Sequence, residues 1–347
     1  IVYLSKSINY NMKKQALLPI IFLISIITSA QNVLKSDALY ADQTPMEIKL
    51  SYSNKEVNKN TNDTTFIKTS MEFLHEGKWA SIDVRLRARG NFRRAECYFP
   101  PIKMKIKKDQ YKGTIFDGNK TMKLVLPCKL ESENNDNILQ EFIAYKIYEN
   151  ISPYHFKTKR VNIDFTEQRG KKTKNFQLKG FLIEDDKRIA KRHEGRVFER
   201  FVHPMGMDHT TSVHVALFQF LLGNTDFSTA YQHNGKLLYS DKKIIPLPYD
   251  FDMSGWVNPS YATVNTTLGI KSVQDRVYRG FKREQQYFDQ VRKQFIDKKP
   301  ELMEMVASFE SQFSEPKEFQ NMFDFMNDFY EVIESDSMFD KIIVSKA

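Results

Sequence analysis

Glycine-rich phosphate loops, internal repeats, low-complexity tracts and, beyond residue 30, long apolar runs are all missing from this 347-residue chain. The first absence excludes a Gly-x-Gly-x-x-Gly cradle for a nucleotide. The next two exclude a solenoid and a disordered tract. The last excludes a membrane helix in residues 31–347. Cysteine is scarce, with only Cys97 and Cys128. In an oxidising compartment these two would close a loop of about thirty residues, which contributes on the order of 3–4 kcal/mol in the chain-entropy model. Two buried free thiols are the alternative. Charge of one sign is never concentrated: 52 Lys and Arg face 43 Asp and Glu, for a net +9. The tightest cluster, Arg169-Gly170-Lys171-Lys172-Thr173-Lys174, reads as a solvated hairpin tip. No long basic stripe with interleaved aromatics is present, so the pattern excludes nucleic acid as a partner.

Residues 1–30 have the three-part layout of a secretory signal. Lys13 and Lys14 precede the apolar run Ala16–Ile27, and Thr28-Ser29-Ala30 supplies small residues for cleavage. Met12 is a candidate start. No cysteine follows the cleavage site, so no lipoprotein anchor is expected; a retained N-terminal anchor is the alternative. The chain is therefore expected to be exported, to a periplasm, the cell surface or the medium, with residues 31–347 as its mature part.

Residues 40–190, approximately, read as sheet with one helix. Met46–Tyr52 is a strand, and Ile82-Asp83-Val84-Arg85-Leu86-Arg87 and Ile102-Lys103-Met104-Lys105-Ile106-Lys107 alternate apolar with charged residues, the period of a half-buried strand. Met122–Leu126, Lys159–Phe165 and Gln177–Ile183 add further strands, and Asp136–Tyr148 keeps helical spacing. Asn54–Thr64 reads as a polar loop. Residues 191–347 are helix-rich, and Gly223 ends a helix capped by Asp208 or Thr210. The expected fold is α+β and two-lobed, with a β-rich first lobe and a helical second.

The stretch that carries chemistry runs Gly223-Asn224-Thr225-Asp226, then His233-Asn234, an apolar hairpin, and Asp250-Phe251-Asp252. Phosphoryl transfer needs positioning and charge neutralisation, and Mg²⁺ takes a few carboxylate or amide oxygens with phosphate and water. Asp250 and Asp252, two apart on an extended backbone, share a face and repel unless a cation or donors lie between them. Plainer readings exist for each. Asp226 suits a turn or cap, Asp250 and Asp252 an exposed strand end, and Asn234-Gly235 a type I′ turn. His233 reads as an orienting residue.

Asn224-x-Asp226, His233-Asn234 and Asp250-x-Asp252 together resemble the spore-coat-H (CotH) kinase family. Arg89-Gly90-Asn91, the lysine-bearing strand at Lys103 and Lys105, and the strand-ending Glu184 resemble it too. The likeness covers roughly Arg85 to Gly280. It implies a protein-kinase-like fold that uses ATP with Mg²⁺ or Mn²⁺ to phosphorylate protein side chains. Asp226 would be the catalytic base, Asp250 the principal metal ligand, Asp252 its support and Asn234 a further ligand. Lys103 or Lys105 would reach nucleotide phosphates, with Arg89 assisting; alternating lysines on an edge strand otherwise read as a solvated face. Asn234 follows Asp226 by eight positions, against about five in ordinary protein kinases. Two other functions compete: a non-catalytic envelope or surface scaffold, suggested by export to an ATP-poor compartment, and a glycosidase using Asp226 and Asp250.

Overall fold

Alternation along the strands has one structural consequence: each turns one apolar face to a shared interior. The computed structural model describes residues 34–131 and 133–347, and Leu34–Ala347 form one unit. Its first seven strands are β1 (Met46–Tyr52), β2 (Ile67–His75), β3 (Lys78–Ala88), β4 (Ile102–Ile106), β5 (Thr121–Val125), β6 (Thr158–Arg169) and β7 (Lys172–Glu184). They close in the order β1-β2-β3-β4-β5-β7-β6. The closing seam is parallel, pairing Met46 through Tyr52 of β1 with Val161 through Glu167 of β6. Leu50, Phe73, Leu86, Met104 and Phe165 fill the interior with Phe99 and Phe116, as a small barrel requires.

This closed mixed barrel overturns the two-lobed, kinase-like expectation. Period-2 alternation is the same for an open sheet and a barrel, and the seam joins segments more than a hundred residues apart. The helices form no separate lobe. Phe181 and Ile183, on the outer face of β7, belong to the same apolar core as α3 (Glu133–Ile151), α4 (His209–Leu221), α5 (Gln285–Ala307) and α6 (Pro316–Glu334). Leu182, between them, faces the barrel interior.

Asn54–Asn60, expected as loop, is helix α1. Ser53 caps it by accepting the Glu56 amide at 3.3 Å, and Val57 is buried beneath it. Helix α2 (Asn91–Glu96) leads to Cys97, which is bridged to Cys128 beyond β5, so the disulfide alternative holds. Among the described residues no helix is long and apolar enough to cross a membrane. The leader at 1–30 lies outside the described residues. A three-stranded sheet of β8 (Arg196–Val197), β9 (Gly235–Ser240) and β10 (Lys243–Pro248), in the order β10-β9-β8, carries the approach to Asp250.

Candidate functional site

Helix α4 delivers Asp226. Asp208 caps it by accepting the Thr211 amide at 3.0 Å, and its end is set by Gly223 at φ +56°. A side chain at Gly223 would be strained by that φ and would meet Phe325 Cζ at 2.9 Å. The Leu222 and Gly223 carbonyls accept from Trp256 (2.9 Å) and Gly255 (3.2 Å), which ties the helix end to the segment just beyond Asp252. Buried Asn224 donates to Gln219 Oε1 at 3.0 Å and accepts the Asp226 amide at 2.9 Å. Arg279 donates to the carbonyls of Thr225 (2.6 Å) and Phe227 (2.9 Å) on either side.

The Asp226 carboxylate is held at both oxygens. His233 Nε2 lies 2.9 Å from Oδ1, and Asn234 Nδ2 donates to Oδ2 at 2.8 Å and to the Asp226 carbonyl at 2.7 Å. Paired backbone hydrogen bonds between Ser228 and His233 close the turn that brings them back. Asn234 is left-handed at φ +45°, but the β9–β10 hairpin turns at Asp241 and Lys242 instead (φ +46° and +59°). The turn reading of Asn234-Gly235 therefore gives way to a side chain engaged with Asp226.

Asp250 leaves β10 at φ +69°, unfavourable for any residue with a Cβ, and its amide donates to Tyr145 Oη of α3 at 3.0 Å. Its Oδ2 accepts from Arg89 at 3.2 Å, and Arg89 also donates to Tyr249 Oη at 2.7 Å. Asp252 is buried, with Oδ2 3.4 Å from Arg93 Nε but not aligned for a hydrogen bond. Glu141 of α3, also buried, lies 4.0 Å from Arg93 Nη1. Burial pushes the Asp250 carboxyl up, yet the charges of Arg89, Arg93 and Lys123 outweigh it and hold the group below the usual range. Burial raises Asp252 to about 6 against the pull of Arg93, and the Asp250 and Asp226 charges add to the rise.

Arg89, Asp226, Asn234, Asp250 and Asp252 all line one cavity of about 700 Å³, with Arg93, His233, Lys236 and Tyr249. Lys103 and Lys105 do not line it. They sit on the outer wall of β4, which is paired on both sides and is no edge strand. Glu184 is buried away from the cavity, paired with Arg192 at 2.8 Å and accepting the Lys157 amide at 2.7 Å.

Sequence reasoning missed Lys123, Arg93, Glu141 and Lys236. Lys123 shared the parity of Lys103 and Lys105 one strand over, but parity says nothing of depth. Its ammonium is buried without a hydrogen bond, 3.8 Å from the centre of the Tyr249 ring. Burial first, then the Arg89 charge, pushes its pKa down to about 7. The unfolded chain thus binds more protons between pH 7 and the ordinary lysine value, and native stability rises with pH across that window. Lys123→Met is expected to be more stable than the parent at pH 7, with the gap narrowing as pH approaches 10. Paired urea denaturations across that range measure it, and a gap independent of pH would count against a buried neutral amine.

The donors suit Mg²⁺ or Mn²⁺: they are oxygens, and the Asp252 Oδ2 is buried without a hydrogen-bonding partner beside Asp250. Among the described residues no cluster of three or more His, Cys, Asp or Glu side chains is arranged to hold a metal. Two carboxylates completed by phosphate and water are the usual Mg²⁺ arrangement. No protein-family model matches this chain, and no curated protein matches it.

Proposed function

We propose that the cavity is a phosphoryl-transfer centre that moves the γ-phosphate of ATP to a hydroxyl of a protein side chain, the activity implied by the resemblance to CotH kinases. The observation that carries this reading is the Asp226 carboxylate, held at both oxygens by His233 and Asn234, in one cavity with Asp250, Asp252 and Arg89. Asp226 takes the proton of the acceptor hydroxyl. The freed oxygen forms its bond to the γ-phosphorus as the bond to the ADP oxygen breaks, and ADP leaves with the electron pair. Arg89, Arg93 and Lys236 supply positive charge and donors for phosphate oxygens. A divalent cation on Asp250 and Asp252 would neutralise charge on the transferring group.

Calorimetric titration of the protein with ATP in Mg²⁺ and then Mn²⁺ tests the reading. Metal-dependent binding is expected, weakened at least about a hundredfold in Asp250→Asn, since the carboxylate is both ligand and counter-charge. Absence of binding with either metal would remove the phosphotransferase reading and leave a non-catalytic envelope or surface scaffold. Equal binding by Asp250→Asn would remove Asp250 as the metal ligand.

A further inference from the structure

Outside the cavity the barrel wall carries an arrangement that a sheet ordinarily avoids. On the outward faces of β2 to β5, Lys68 is directly opposite Arg85, and Arg85 is opposite Lys105. One rung nearer the cavity, Arg87 is opposite Lys103. Like charges directly across a ladder destabilise it. Neutralisation is slight. Only Arg87 has a carboxylate partner among the described residues, Asp63 at 2.9 Å, and that Asp63 is 92% exposed. The Phe66 ring lies under Lys105 (4.3 Å) and Arg87 (5.8 Å), which holds the two heads in place instead of discharging them. Burial and then the Lys103, Arg85 and Arg87 charges lower the Lys105 pKa, the mark of cations crowded together.

The two rungs run into the site. Arg89 follows Arg85 and Arg87 with the same parity, its amide bonds to the Pro101 carbonyl at 2.9 Å, and both Arg89 and Pro101 line the cavity. Residues two apart on β3 or β4 repeat at about 6.6 Å, the spacing of alternate side chains in an extended polypeptide. The half-buried Phe66 ring is engaged by Lys105 and Arg87, and among the described residues no exposed aromatic ring lies on the rungs for a base to stack on, which a single-stranded nucleic acid would use.

We propose that the Lys68–Arg85–Lys105 and Arg87–Lys103 rungs form a docking surface for an extended acidic polypeptide segment with carboxylates at alternate positions, which the wall leads toward the cavity. The docking surface stands whether or not the cavity transfers phosphate. If it does, the docked segment belongs to the acceptor.

A fluorescein-labelled peptide of alternating glutamate and serine, titrated with the full chain by fluorescence anisotropy, tests the proposal without any catalytic step. Saturable binding that weakens with salt is expected, and Lys103→Glu/Lys105→Glu should weaken it by on the order of tenfold. The same double variant should unfold at an equal or higher temperature than the parent, because it converts repulsive cross-strand pairs into attractive ones. Absence of peptide binding, an equal loss in the remote control Lys341→Glu/Lys346→Glu, or tighter binding of oligouridylate or anionic vesicles than of the peptide would each overturn it. Peptide binding with no metal-nucleotide binding would retain the docking surface and reject the phosphotransferase reading.

Discussion

Replacing Asp226 by asparagine is expected to cut phosphoryl transfer by roughly 10²–10⁴-fold, the usual contribution of a positioned general base, while ATP affinity stays within about threefold of the parent. Asparagine keeps the size of the side chain and an oxygen for the Asn234 amide, and the loop is fixed independently by Asn224 and by Arg279. What is lost is the charge that receives the acceptor proton. Release of γ-phosphate and phosphate incorporation into the chain itself measure basal turnover, and calorimetry measures binding. Parent-like turnover in Asp226→Asn would sink the base assignment, whereas loss of binding together with turnover would show that the residue shapes the nucleotide site instead. Asp250→Asn has the opposite signature, failing at binding, so the pair of variants separates the two roles.

The order of parts in the cavity was legible because chemistry-bearing residues cluster in sequence. Asp226, His233, Asn234, Asp250 and Asp252 lie within thirty residues of one another and meet in space. Strand existence was legible from alternation, as at Ile82–Arg87 and Ile102–Lys107. Barrel closure was not, because the β1–β6 seam is a long-range parallel pairing that leaves no local period. Asn54–Asn60 escaped because its helix rests on a Ser53 cap and one buried Val57 rather than on an apolar stripe. Among the lysines, alternation fixed which face Lys103, Lys105 and Lys123 share, but depth depends on what covers the strand. Tyr249 and Phe156 cover Lys123 alone, and they lie far along the chain. Arg93 and Glu141 were hidden for the same reason: each finds its partner through the fold.

Arg93 should prove the costliest of these to remove. Its guanidinium donates to the Leu126 carbonyl at 2.8 Å and is the cation nearest two buried acids, Asp252 and Glu141. Arg93→Met preserves much of the side-chain volume but leaves both acids without that counter-charge, and breaking a buried pair from one side typically costs about 3–5 kcal/mol. The deficit should depend on pH with a definite sign. Asp252 already titrates near 6 in the native chain, above its ordinary value, and loss of Arg93 removes the main influence holding it down. A carboxyl whose native pKa is raised favours the folded state at low pH and forfeits that contribution as pH rises through the native value. Arg93→Met is therefore expected to lie closer to the parent at pH 5 than at pH 8 in urea denaturation. Glu141→Gln and Asp252→Asn, added to Arg93→Met, should recover part of the loss at pH 8 and little at pH 5, because the partners then need no counter-charge. A deficit identical at both pH values and untouched by those changes would mean that Arg93 acts through packing and the Leu126 hydrogen bond alone, and that its removal leaves the protonation of the two acids unchanged.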